Sequence, residues 1–265
     1  MSFYEIDKIH PWLYRINDPM DVCFYLLVGS DKALLFDTGF GIDNIVETIK
    51  TITSKPFIVV LGHGHIDHAC GAYQFDEVYL HENDFELCRE HTSEMFRASI
   101  IHDLEKIHKK PPESFDAESY LKAGTGNLKK LIIDTVFDLG DLHVKVIGMP
   151  GHTKGSVGLL VLEKKVLLTS DSANEHVWMF LKESTSVAKY IEMLETVWTQ
   201  DFDTFFTAHS NKPHPKSDFQ KYIKVAREAS IEKAVPYNNM RELKPYIYED
   251  DGAAIVFSEE TLLKK

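Results

Sequence analysis

The sequence predicts a mixed α/β protein of the α+β type, with two strand-rich halves flanked by amphipathic helices. Three observations carry this expectation. Short apolar runs rich in Val, Ile, Leu and Phe recur along the chain and stop at turns. Apolar residues spaced three and four apart mark helices over 42–54 and 186–198. Between the two halves, residues 83–123 combine helical periodicity with many charges. At 265 residues the chain can bury one sizeable core, so a single domain over 1–265 is expected, with a helical insertion at about 83–123.

The first half opens with three runs: 12–16, Cys23–Gly29 and Ala33–Phe36. The last two are joined by Gly29-Ser30-Asp31-Lys32, a hairpin connection, so the start is an antiparallel meander. Ile42, Ile45, Val46 and Ile49 then form one face of a helix leading into a buried strand at 57–61. A short helix over 69–75 and a strand over 77–80 follow. Residues 83–123 carry Phe85, Leu87, Met95, Phe96, Ile100, Leu104 and Ile107 at helical spacing, and Gly124-Thr125-Gly126 is a linker. In the second half, strands are expected over 142–149, 157–162 and 166–169, the last two joined by Glu163-Lys164-Lys165. After a helix at 186–198 come a strand over 204–208, a helix over 216–234 and the apolar run Ala253–Phe257, the last without a functional reading.

The strand at 57–61 runs into His63-Gly64-His65-Ile66-Asp67-His68. Three imidazoles and a carboxylate within six residues are too dense for chance packing, and these are donors that suit zinc, iron or manganese. Two histidines one residue apart at a strand end can face one ion while Asp67 and His68 face another, so the spacing points to two adjacent metals. Four further ligand-type residues stand at strand ends: Asp37, His152, Asp171 and His209. His81, His91, His102, His108 and His214 are read as structural or solvated.

Asp37-Thr38-Gly39, the H-x-H-x-D-H run at 63–68, Gly151-His152-Thr153-Lys154-Gly155-Ser156, Asp171 and His209 follow, in order, the pattern of the metallo-β-lactamase-fold superfamily of metallohydrolases, which the chain resembles. The resemblance spans roughly residues 10–210. It implies a four-layer αβ/βα sandwich with the helical insertion between the second and third metal motifs. It also implies that His63, His65 and His152 hold one ion and Asp67, His68 and His209 a second, with Asp171 bridging them. Asp37 would orient the histidine cluster by hydrogen bonding. The implied cofactors are two divalent ions, zinc first, with iron or manganese as alternatives. A metal-bound hydroxide would attack the substrate, with Asp67 as the catalytic carboxylate that accepts a hydrogen bond from it. Ser156 is read as shaping its turn.

The resemblance further implies hydrolysis of a small ester, thioester or lactone. Asp171 stands where the zinc β-lactamases carry Cys, and His65 where the flavodi-iron proteins carry Glu, so the ligand set is most similar to the glyoxalase II group. Acyl-homoserine lactonases carry Tyr three residues beyond the bridging Asp; Asn174 stands there, and Tyr190 is the replacement considered. Trp178 and Phe180 are candidate walls of an apolar acyl pocket. The alternatives are a phosphodiesterase on the same ligands and a non-haem iron oxidoreductase resembling persulfide dioxygenase.

A formal net charge of −12 repels polyanions, so a small-molecule substrate is expected and nucleic acid is not. No run approaches the ~18 apolar residues a membrane span needs. The N-terminus lacks the basic and apolar regions of a signal peptide. Three cysteines without C-x-x-C spacing suit a reducing, cytoplasmic setting. Residues 83–123 are expected to act as a lid over the site or as the contact of a homodimer.

Overall fold

In the computed structural model, which describes residues 3–237 and 244–264, the chain divides into Met1–Val144 and Lys145–Lys265. In the first unit β2 (Leu13–Asp18), β3 (Val22–Val28) and β4 (Ala33–Phe36) form the expected meander, which β1 (Glu5–His10) extends at its edge. The same sheet continues in parallel through β5 (Phe57–Val60), β6 (Val78–Leu80) and β7 (Leu128–Lys130). β3 and β4 are buried almost throughout, as continuous apolar runs require. β1 escaped the sequence reading because it is an exposed edge strand with no apolar alternation. It is tied to β2 by the Arg15 guanidinium, 2.7 Å from the Asp7 carboxylate.

Parallel strands need a crossover, and α1 (Ile45–Ile52) supplies it between β4 and β5. The Asn44 side chain caps it by accepting from the Glu47 amide at 3.0 Å, while Ile45 and Ile49 enter a core with Leu35, Val59 and Leu61. Next come α2 (Ile66–Ala69), α3 (Phe85–His91), α4 (Glu94–Lys106) and α5 (Ala117–Leu121). The stretch at 83–123 therefore carries three helices. The short strand β8 (Val136–Asp138) lies near the end of this unit.

The second unit contains β9 (His143–Gly148), which starts at the division, β10 (Val157–Val161), β11 (Val166–Leu168), β12 (His176–Met179), α6 (Val187–Trp198), β13 (Thr204–Phe206), β14 (His214–Pro215) and α7 (Asp218–Glu228). β15 (Val235–Pro236), β16 (Tyr246–Asp250), β17 (Ala253–Phe257) and α8 (Glu259–Leu263) follow. One sheet runs β14-β13-β11-β10-β9 and the other β12-β17-β16-β15. α6 and α7 share a core with Met149, Leu167, Met179, Phe205 and Phe257.

The helix expected over 216–234 ends at Glu228. A separate turn follows, in which the Ser230 carbonyl accepts from the Lys233 and Ala234 amides. Ile231 and Ala234 still pack on the same core, which is why the apolar periodicity ran on past the helix. β16 was not anticipated, since only Ile247 of its five residues is buried. No helix among the described residues is long and apolar enough to cross a membrane.

Candidate metal centre

In the first unit Phe36 lies opposite Val60 across the parallel pair β4–β5, so Asp37 and the histidine run leave the same sheet edge. The carboxyl ends of parallel strands are where such sheets place ligands. Asp37 sits at φ 67°, a left-handed conformation that costs a non-glycine residue about 1 kcal/mol or more. That conformation aims its carboxylate. Oδ1 accepts from the Gly62 amide at 2.6 Å, and Oδ2 lies 3.0 Å from His68 Nδ1. A carboxylate partner at that distance takes the Nδ1 proton as its hydrogen bond, which leaves Nε2 as the lone-pair nitrogen of His68.

His65 stands at the N-cap position of α2, so a helical turn carries Asp67 and His68. His68 Nε2 faces Asp67 Oδ2 at 3.2 Å, and His63 Nε2 faces His65 Nδ1 at 3.0 Å. Electron-rich atoms brought this close in a buried setting call for a proton or a cation between them, and three imidazoles with a carboxylate are donors that fit a divalent ion. Two tight contacts position the run. A Cβ on Gly64 would lie 2.9 Å from both the Asp84 carbonyl and the Cys88 amide nitrogen, so only glycine lets α3 pack here. The buried Asp84 carboxylate accepts from the Gly64 amide at 3.1 Å.

The second unit repeats the device. Leu168 lies opposite Phe206 across the parallel pair β11–β13, so the segments bearing Asp171 and His209 leave one edge together. His209 Nε2 is 3.3 Å from Asp171 Oδ1. Ser170, like Asp37, is left-handed, at φ 49°. His152 lies in the connection between β9 and β10, and its Nδ1 donates to the Trp178 carbonyl at 2.8 Å. Its Nε2 therefore carries the lone pair, 3.7 Å from Asp171 Oδ2. Ser156 braces this turn, accepting from the Thr153 amide at 3.1 Å.

The three candidate substrate residues separate along the second unit. Val177 and Met179 of β12 face the main core, whereas Trp178 and Phe180 pack with Ile247, Ala254 and Val256 in a smaller cluster. Their rings lie 5.4 Å apart. Tyr190 is 1% exposed and presses on Gly151 beside His152. Burial pushes its phenol well above the usual range, and the hydroxyl has no hydrogen-bond partner among the described residues.

The remaining histidines divide. His81 accepts from the Asn83 amide at the start of a short helical turn, and His214 is buried, stacked on Phe205 and 3.0 Å from the Ser210 hydroxyl. His102 and His108 are exposed. His91 is different: it stacks on His65 with ring centroids 4.9 Å apart. The sequence reading took His91 as structural or solvated and did not single out Asp84, and only their nearness to the start of the helical stretch could have hinted at a role beside the histidine run.

A family model described as the metallo-beta-lactamase superfamily matches residues 18–82 and 96–209. The chain belongs to the metallo-beta-lactamase superfamily. The match passes over 83–95, the interval that holds α3, Asp84 and His91. The acyl-coenzyme A thioesterase MBLAC2 of Bos taurus is 28% identical over 160 residues, 56% of this chain and 56% of that protein. Probable metallo-hydrolase YqgX of Bacillus subtilis is 25% identical over 165 residues, covering 60% and 70%. Hydroxyacylglutathione hydrolase GloC of Haemophilus influenzae is 22% identical over 156 residues, covering 56% and 65%. The chain thus spans about half the length of the thioesterase it matches.

Two solved structures show the fold. The DIM-1 metallo-beta-lactamase superposes with a TM-score of 0.60 at 12% identity, covering 86% of this chain and 99% of that one. A metallo-beta-lactamase family protein from Thermus thermophilus does so at 0.58 and 19% identity, covering 82% and 79%. The metallo-beta-lactamase fold expected from the sequence is the one these neighbours carry.

Proposed function

We propose that the chain is a metal-dependent hydrolase of small thioesters with a dinuclear metal centre. The observation that carries this is the matched construction of each half. Two parallel strands end in register, a non-glycine residue at positive φ follows one of them, and the tautomer of a histidine is set so that Nε2 presents its lone pair. In this scheme His63, His65 and His152 would hold one ion and Asp67, His68 and His209 the second, with Asp171 as the ligand they would share.

Bound divalent ions supply a water activated near neutral pH and a Lewis acid for the scissile carbonyl. The chain does the rest. Asp37 fixes His68 and the Gly62 amide together, which keeps the histidine run in place during turnover. The Trp178 carbonyl and the braced Thr153–Ser156 turn hold His152. Asp67 accepts the hydrogen bond of the attacking water and orients it toward the carbonyl carbon.

Zinc is the proposed metal because the donor set is dominated by imidazole, supplemented by carboxylate. A thioester is favoured because one relative is named as an acyl-coenzyme A thioesterase and another as a hydroxyacylglutathione hydrolase. The net charge of −12 supports a small-molecule substrate, and three buried cysteines suit a cytoplasmic setting.

The test is metal content by elemental analysis beside an Asp171→Ala control, followed by turnover of acyl-coenzyme A, S-acylglutathione, lactone and bis-p-nitrophenyl phosphate before and after chelation. Expected are about two zinc ions per chain, fewer in the control, and thioester cleavage that chelation abolishes. Phosphodiester turnover faster by orders of magnitude would sink the acyl assignment. Iron as the dominant metal, with oxygen uptake on a persulfide, would transfer the chain to the oxidoreductases.

A further inference from the structure

We propose that His91 is a positioning residue for this centre: it stacks on His65, fixes the plane of that ring, and so lets the helical stretch 85–121 govern how firmly metal is held. This rests on the metal-centre proposal above. The imidazoles of His65 and His91 are 26° from parallel with centroids 4.9 Å apart, and His91 also stacks on Phe96 at 20° and 4.4 Å. His63 meets His65 nearly edge-on, at 83° and 4.7 Å. The His65 ring is thus bounded by a perpendicular ring and by a stacked one. An imidazole–metal bond lies in the ring plane, so rotation of His65 would swing its lone pair off the ion.

The placement of His91 is over-determined. Its carbonyl accepts from the Cys70 thiol at 3.5 Å, and the carbonyl of Thr92 accepts from Arg97 Nε at 3.0 Å. Arg97 is fully buried and makes no ion pair among the described residues. Its guanidinium lies 5.0 Å from the Tyr73 ring and 4.7 Å from the Tyr120 ring, while Nη2 donates to the Gly124 carbonyl at 2.7 Å. Both tyrosines reach the loop that follows Asp37-Thr38-Gly39: the Tyr120 hydroxyl donates to the Phe40 carbonyl at 2.8 Å and the Tyr73 hydroxyl to the Gly41 carbonyl at 3.1 Å.

Nε and Nη2 of this buried cation reach carbonyls while Nη1 has no hydrogen-bond partner among the described residues, and the two aromatic faces that clamp the guanidinium help to hold it in place. The clamp ties the corner between α3 and α4 to the loop that carries Asp37, and His91 is the side chain that corner presents to His65. Residues 83–95 fall outside the superfamily match, so this contact belongs to the chain's own helical stretch.

The experiment compares wild type, His91→Ala and His91→Phe for metal content and for the half-time of metal release into excess chelator, with thermal unfolding of the metal-free proteins in parallel. Phe keeps a flat ring without a nitrogen. Expected is release about 10–100-fold faster from His91→Ala, near-wild-type retention in His91→Phe, and little change in the unfolding midpoint of the metal-free chain. Equal retention in His91→Ala and a loaded wild type would overturn the stacking proposal while leaving the metal centre intact. Release from His91→Phe as fast as from His91→Ala would overturn it too, because the nitrogen and not the ring face would then matter. A wild type that takes up no metal would overturn the centre itself.

Discussion

Replacing Asp18 with Asn should stabilise the protein, and more so as pH rises. Asp18 ends β2 and is 4% exposed. Oδ1 accepts from the Met20 amide at 3.1 Å, while Oδ2 has no hydrogen-bond partner among the described residues. Burial pushes the carboxyl up to about 7 from the 3.8 of an ordinary aspartate, against the pull of the Met20 amide. Between those values the folded chain retains a proton that the unfolded chain has already released. Stability is therefore lost as pH rises from about 4 to about 7 and levels off above.

At about 1.4 kcal/mol per pH unit the gap sets a ceiling of about 4 kcal/mol, and about 2–3 kcal/mol of it falls between pH 5 and pH 8. Asn keeps the acceptor for Met20 and removes the charge. Urea unfolding of chelator-treated wild type and Asp18→Asn at pH 5 and pH 8 should show the advantage of the variant growing by that amount. An advantage of the same size at both pH values would refute the reasoning, because the burial of a charge would then not be its source.

Gly41→Ala should cost more than about 3 kcal/mol in urea or thermal unfolding, since a Cβ there would meet the Gly71 Cα at 2.5 Å and the Cys70 carbonyl at 2.8 Å while the backbone is held at φ 71°. Asp37→Asn removes the carboxylate that sets the His68 tautomer, so metal affinity measured by chelator competition should fall about 10–100-fold. The thiols should be silent: Cys23, Cys70 and Cys88 are buried and burial pushes the last two up to about 12, so an aromatic disulfide reagent at pH 8 should titrate none of the three in native protein and all of them in urea.

The histidine run stood out because density of donors is a local property, and Asp37, Asp171 and His209 because each follows a short apolar run; that those runs pair in parallel and in register came only from the structure. What sequence could not show is set by neighbours distant in the chain. His91 matters only once α3 lies on Gly64, and the capture of the Gly64 amide by Asp84 depends on the same packing. β1 is mostly exposed and β16 mostly half-buried, so their pairing partners, not their own patterns, make them strands. The overlong helix at 216–234 came from reading a continuous apolar face as a continuous helix, although a turn can pack on the same core.

The pairing of β12 with β17 joins Trp178 to Val256 in parallel. The strand whose Trp178 carbonyl steadies His152 thus finds its neighbour only when residues 253–257 are present. During synthesis the nascent chain would hold every proposed ligand for some time before this sheet could form. Such distant pairing is slow to close and leaves an apolar edge waiting. Frameshifts or proteolytic cuts near the C-terminus would then reach the histidine turn without touching a single donor.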